Sequence, residues 1–203
     1  MPLQNRVNPF GKIVAVAAKG DLMGNRGCLH NDRREVVRNY RSKAWIACVT
    51  SWPGVRRQLM TPGSYTELFF RDEATALSAG HRPCAECRRD RFRAFQAAWV
   101  RAGLSGEPPR VTVMDDRLHR ERSETECPIV DTVAEPDGVI LSPVGSADCF
   151  LKWKGRLHRW SFDGYGPAAP PPNEAMRRLT PVSIAAVLAA GYVPGVHISV
   201  DAS

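Results

Sequence analysis

Cys84 and Cys87 stand three residues apart in the run Ala79-Gly80-His81-Arg82-Pro83-Cys84-Ala85-Glu86-Cys87-Arg88-Arg89. A Cys-x-x-Cys turn opened by proline directs both sulfurs at one point, which supplies half of a tetrahedral zinc site. Candidates for the other ligands are Cys28, His30, Cys48 and His81. Cys28 and His30 lie in Gly24-Asn25-Arg26-Gly27-Cys28-Leu29-His30, a run of turn formers that can bend to present ligands. The expected set is therefore Cys28, His30, Cys84 and Cys87. Cys48, within Trp45-Ile46-Ala47-Cys48-Val49, reads as a buried apolar thiol and is the replacement if His30 is not a ligand. His81 is too close behind Cys84 to reach round and instead orients the turn. Cys127 and Cys149 read as ordinary surface or core thiols.

A second group of reactive types is Met114-Asp115-Asp116-Arg117-Leu118-His119-Arg120-Glu121-Arg122. On a helix, Asp115 and His119 share a face. With Glu121 they could hold Mg²⁺ or Mn²⁺, or activate water against a phosphodiester. The plainer reading is a solvated segment laced with salt bridges, and no His-Asn-His nuclease signature accompanies it. Trp153, His158, Trp160 and Tyr165 alternate with Lys152, Lys154, Arg156 and Arg159. Such a strand face can stack bases and pair phosphates, but aromatics in a small sheet usually form core.

The charge is lopsided. The chain of 203 residues has a formal net charge of +7, yet residues 1–105 carry +10 and residues 106–203 carry −3. Arginine makes up 23 of the 28 basic residues, and its planar fork suits bidentate phosphate recognition. Compositional bias accounts for arginine over lysine but not for its confinement to one half, so nucleic acid is the expected partner. No run is long enough for a membrane span, and Ile13–Ala18 is too short for a signal-peptide core. Six cysteines without an export signal point to reduced thiols or metal ligands, hence to the cytoplasm.

The elements that must position these groups are short. Lys12–Ala18 reads as a strand and Gly20–Asp32 as an irregular loop. Val36–Tyr40, Ala44–Thr50, Val55–Met60 and Glu67–Phe70 read as a small antiparallel meander with turns at Trp52-Pro53-Gly54 and Thr61-Pro62-Gly63. Asp72 caps a helix over Glu73–Ala79 with Gly80 beyond its end. Arg88–Ala102 is amphipathic and closed by Gly103, with Phe92, Phe95, Trp99 and Val100 on one face. Leu104–Arg110 is the candidate linker. Val139–Ser142, Asp148–Lys154 and Arg156–Phe162 read as a second meander, and Gly164–Asn173 as a Pro-rich surface excursion. Thr180-Pro181 starts a helix that runs to Ala190 and stops at Gly191. Ala74–Pro83 and Ala185–Pro194 share Ala, Leu, Ala, Gly and Pro at matching positions, as a recurring helix-to-turn solution.

Phe70–Arg89, with its helix, Ala-Gly, Arg-Pro-Cys-x-x-Cys and following arginine, resembles the zinc-binding module of the Ada methylphosphotriester repair proteins, a type also attached to bacterial nucleases. The close match covers about a tenth of the chain, and extends over Gly24–Arg93 if a β-meander is inserted between ligand pairs. The resemblance implies an α+β zinc fold that contacts DNA backbone, with Cys84 and Cys87 as ligands. The Ada pattern has two cysteines in its first ligand pair, one of them a methyl-accepting thiolate; here that region offers Cys28-Leu29-His30. Three thiolates and an imidazole leave a less negative zinc centre and a weaker sulfur nucleophile, so methyl transfer is disfavoured.

The expectation is an α+β protein: a zinc-centred, Arg-rich module over 1–105 with an inserted β-meander, then a β-rich part over 106–203 with a C-terminal helix, the two packed as one unit or not. The module binds nucleic acid, DNA before RNA, with Arg82, Arg88, Arg89 and Arg93 on phosphates, in repair or DNA processing. Two alternatives stand: a metal-dependent nuclease using Asp115, His119 and Glu121, and a structural zinc protein that binds another protein.

Overall fold

The computed structural model describes residues 1–54, 58–124, 127–170 and 175–201. It is a mixed α+β fold with two six-stranded sheets and four helices among these residues. The first sheet contains β1 (Gln4–Val7), β2 (Ile13–Ala15), β3 (Leu22–Asn25), β4 (Ile46–Val49), β5 (Leu68–Phe70) and β6 (Arg82–Pro83), in the order β2-β1-β5-β3-β4-β6. Helix α1 (Glu73–Ser78) links β5 to β6; α2 (Arg89–Arg101) and α3 (Val111–Ser123) follow. The second sheet contains β7 (Ile129–Val130), β8 (Ile140–Pro143), β9 (Phe150–Trp153), β10 (Arg156–Ser161), β11 (Gly164–Ala169) and β12 (Met176–Arg178), in the order β11-β10-β9-β8-β12-β7, before α4 (Val182–Ala189). None of the helices is long and apolar enough to cross a membrane.

The expected first meander is only partly present. Leu22–Asn25, expected within a loop, is a central strand that pairs with both β4 and β5. Its Gly24 permits this: a β-carbon there would lie 2.3 Å from the Phe70 ring, so only glycine lets the aromatic close over the strand. Val36–Tyr40 contributes a single bridge, His30 to Val36, and forms the return arm of a long loop between β3 and β4. Part of the expected strand Val55–Met60 lies outside the described residues. In the second half the meander forms as β8, β9 and β10. The Pro-rich segment Gly164–Asn173 begins as a strand rather than an excursion, because Gly164–Ala169 pairs with β10 at the edge of the sheet, while its residues 171–173 lie outside the described residues. Pro167 falls where that register slips, at an edge where a missing N–H is tolerated.

The two halves share one core. Leu77, Phe95 and Trp99 pack in the same buried cluster as Met114, Leu141, Ile184 and Leu188. A second tie is polar. Glu73, at the start of α1, is buried and accepts from Arg88, Arg91, the Tyr192 hydroxyl and the Gly195 amide. Its neighbour Asp72 caps α1 through the Thr75 amide at 2.8 Å and also accepts from the Tyr165 hydroxyl and the His197 amide. Tyr165 and Trp160, whose indole N–H donates to Thr75, therefore belong to the interior.

Candidate metal centre and cationic cavity

Sheet register places both sites. β4 runs parallel to β6 with Ile46 beside Arg82 and Ala47 beside Pro83. One step further along, the Cys84 amide donates to the Ala47 carbonyl at 2.9 Å, so Cys48 arrives beside the Cys-x-x-Cys turn. The sulfurs of Cys48, Cys84 and Cys87 lie within 4.8 Å of one another, the sole group of three or more potential metal ligands among the described residues. Zinc thiolates at 2.3 Å in a tetrahedron stand about 3.8 Å apart, a spacing that falls within the 4.8 Å limit of this group. Cys48 and Cys84 are buried and Cys87 is half-buried.

The three thiols differ in how readily they lose a proton. The Cys84 thiol is lowered to about 5, first by the hydrogen bond from Cys48, against the opposing effect of burial, with further help from the Cys87 and Glu86 amides. The Cys48 thiol is raised by that same hydrogen bond and by burial, and Cys87 is raised chiefly by burial. One negative charge is thus easily held and the next two are not. A divalent ion would supply the missing counter-charge. Cys48, Cys84 and Cys87 could hold a metal ion.

Of the expected set Cys28, His30, Cys84 and Cys87, the structure brings Cys84 and Cys87 together with Cys48 and places Cys28 and His30 outside the group. His30 is buried against β5's approach segment, with Nδ1 at 2.6 Å from Thr66 Oγ1 and Nε2 at 3.1 Å from the Thr61 carbonyl. The Cys28 thiol lies 3.6 Å from the His30 carbonyl. Both hold the β3–β4 loop together rather than reaching the Cys-x-x-Cys turn. The signal that could have promoted Cys48 is its place in the strand that must lie beside a parallel Arg82-Pro83 strand, a long-range pairing.

The opposite end of the same strands builds a different site. Because Asn25 pairs with Ile46, and Ile46 with Arg82, the residues one step outward, Arg26, Trp45 and His81, converge. The Arg26 guanidinium lies 3.8 Å from the Trp45 ring and donates from Nε to His81 Nε2 at 3.1 Å and from Nη1 to the Gly11 carbonyl. α3 closes the site from the side. Its Arg122 donates to the Gly80 and Lys43 carbonyls and lies 4.3 Å from the Trp45 ring. Gly80 is required here: its φ is +80°, and a β-carbon would meet the Arg122 side chain at 2.4 Å. A cavity of about 400 Å³ opens between Arg26, Trp45, Arg122, Phe10, Tyr40 and His119.

The nuclease trio does not gather. Both Asp115 oxygens accept from Arg82 at 2.8 Å in the interior. Glu121 accepts from the Ser183 amide and hydroxyl and faces Arg117 at 3.5 Å. His119 and Glu121 both line the cavity, His119 edge-on to Tyr40 at 5.1 Å. The expected phosphate-binding arginines also divide. Arg82 is committed to Asp115 and Arg88 to Glu73, whereas Arg89 and Arg93 are exposed on α2. Compared with family models, with curated proteins and with solved structures, the chain matches none, so the likeness to the Ada module stands on Phe70–Arg89 of the sequence.

Proposed function

We propose that this chain is a zinc-containing DNA-binding protein of the repair or DNA-processing kind. The supporting observation is the β3–β4 loop. Arg34, Arg38 and Arg41 are exposed on it, and none makes an ion pair among the described residues. The loop leads through Asn39 and Tyr40 to the mouth of the cavity that holds Arg26 and Arg122. Unpaired guanidinium groups on a loop anchored to a rigid sheet suit phosphate contact, because no internal carboxylate must be displaced first.

Zinc is the metal that fits three thiolates at this spacing. Cys48, Cys84 and Cys87 would hold it and so join β4 to the turn before α2. The ion would supply charge neutralisation and a fixed junction, leaving phosphate contact to the arginines. Titrating the full chain with labelled DNA over a series of salt concentrations tests the reading. Affinity should fall linearly in log–log form as counterions are displaced. An affinity independent of salt would overturn it and favour the protein-binding alternative.

A further inference from the structure

The cavity carries positive charge that the hydrogen bonds and ring contacts of the fold satisfy only in part. Arg26 is 1% exposed, makes no ion pair among the described residues, and leaves its Nη2 buried without a partner. Arg122 leaves its Nε in the same condition, and His119 its Nδ1. Burying an uncompensated guanidinium is costly, and an orphaned donor adds to that cost. Burial lowers Arg26 to about 9 and Arg122 to about 10, and Arg122 adds to the effect on Arg26. His81, the partner of Arg26, is held neutral by burial and by both arginines. Carboxylates offset this only at Arg122, where the charges of Asp115 and Glu121 oppose the effect of burial; no carboxylate does so at Arg26. Glu121 is engaged by Ser183 and Arg117, and Glu124 lies exposed at the rim.

We propose that this cavity takes the terminal phosphate of a nucleotide, presented at the end of a DNA strand lying along Arg34–Arg41. The inference rests on the DNA-binding reading. A phosphomonoester brings two charges and three terminal oxygens on a tetrahedron, against two guanidinium groups and an imidazole that leave separate nitrogens unpaired. A volume of about 400 Å³ exceeds one phosphate and is in the range of small-ligand sites. Tyr40 stands exposed at the mouth, where a terminal base can stack on its ring. An internal phosphodiester, flanked by nucleotides on both sides, could not bring its phosphorus to a side chain as recessed as Arg26.

The full-length chain should be titrated with one labelled 12-mer prepared with a 5′-phosphate, a 3′-phosphate, or hydroxyls at both ends. A melting curve with and without dAMP completes the set. One phosphorylated form should bind at least tenfold more tightly than the hydroxyl form, and R122Q should abolish that difference. Which end is preferred identifies the terminus. If dAMP raises the melting temperature of wild type but no strand binds, the cavity stands with a free nucleotide as its ligand, and the DNA-binding reading falls. If all three strands bind equally and dAMP has no effect, DNA binding stands and the cavity proposal is overturned. The wild-type comparison decides even if R122Q does not fold.

Discussion

Arg82 grips Asp115 with two parallel hydrogen bonds of 2.8 Å, from Nε to one carboxylate oxygen and from Nη2 to the other. The pair joins the strand that ends in the thiol turn to the helix that supplies His119 and Arg122. A metal held by Cys84 and Cys87 and an anion bound beside Arg122 would therefore act on the same short stretch, Gly80 to Cys87. Gly80 carries one end of it through its carbonyl bond to Arg122. The Cys84 amide carries the other through β4.

D115N should destabilise the fold by about 3–5 kcal/mol, because it leaves the Arg82 guanidinium buried without its counter-charge. Replacing both partners, as R82M/D115L, should recover much of that loss. Chemical denaturation of the three proteins measures it. A loss below about 1 kcal/mol for D115N would mean the fork contributes little beyond two ordinary hydrogen bonds.

The chain should bind about one zinc, and cobalt substitution should show thiolate charge transfer from three sulfurs rather than two. Zinc sites of this kind can contribute on the order of 10 kcal/mol to folding. C48A should lower the cobalt signal by one thiolate and C84S should release the metal. C28A should leave the spectrum intact, because its sulfur lies against the His30 carbonyl. Loss of signal in C28A with none in C48A would reverse the assignment.

The sequence carried the local elements well and the pairings poorly. Asp72, Gly80 and Gly103 mark helix ends where capping chemistry expects them. The repeated Ala-Leu-Ala-Gly-Pro spacing is geometric too. Gly80 donates to Leu77 and His81 to Ala76; Gly191 donates to Leu188 and Tyr192 to Val187, the same two bonds 111 positions apart. Thr180, just before the helix that Thr180-Pro181 was expected to start, accepts from the Ile140 amide through its hydroxyl and fastens α4 to the second sheet. Cys84 and Cys87 were legible because their spacing is local. Cys48 was reached only as the replacement for His30, since its place beside the turn depends on β4 lying parallel to β6 across more than thirty residues of chain. Arg26 was hidden for the same reason: the convergence of residues 26, 45 and 81 is a property of sheet register.

Stability should fall as pH drops below about 6.5, the ordinary histidine value. His81 is held well below that value, first by burial and then by Arg26 and Arg122. The unfolded chain then binds a proton that the folded chain refuses, so stability rises with pH through this window and is lost on acidification. One such proton gives a slope of up to about 1.4 kcal/mol per pH unit. His119 and His158 are lowered as well and add in the same direction. H81N keeps a hydrogen-bond acceptor for Arg26 and cannot titrate, so its stability between pH 7.5 and 5.5 should be flatter than that of wild type. Equal slopes would remove His81 from the account.

The last prediction separates two arginine surfaces of equal formal charge. R38A/R41A removes two unpaired guanidinium groups from the loop that leads to the cavity, while R89A/R93A removes two from the exposed face of α2. Each phosphate contact on duplex DNA contributes about 0.9 to the slope of log affinity against log salt, and about 0.7 on a single strand. If the loop is the contact surface, R38A/R41A should reduce that slope by about one to two and weaken unrelated sequences alike. R89A/R93A changes the net charge equally, so any effect it has measures long-range attraction alone. That effect should be small at 0.15 M salt, where the screening length is about 8 Å. If R89A/R93A lowers the slope and R38A/R41A does not, DNA lies on α2 beside the thiol turn, as the resemblance to the Ada module implies. If both lower it equally, attraction follows net charge and neither surface is a dedicated contact.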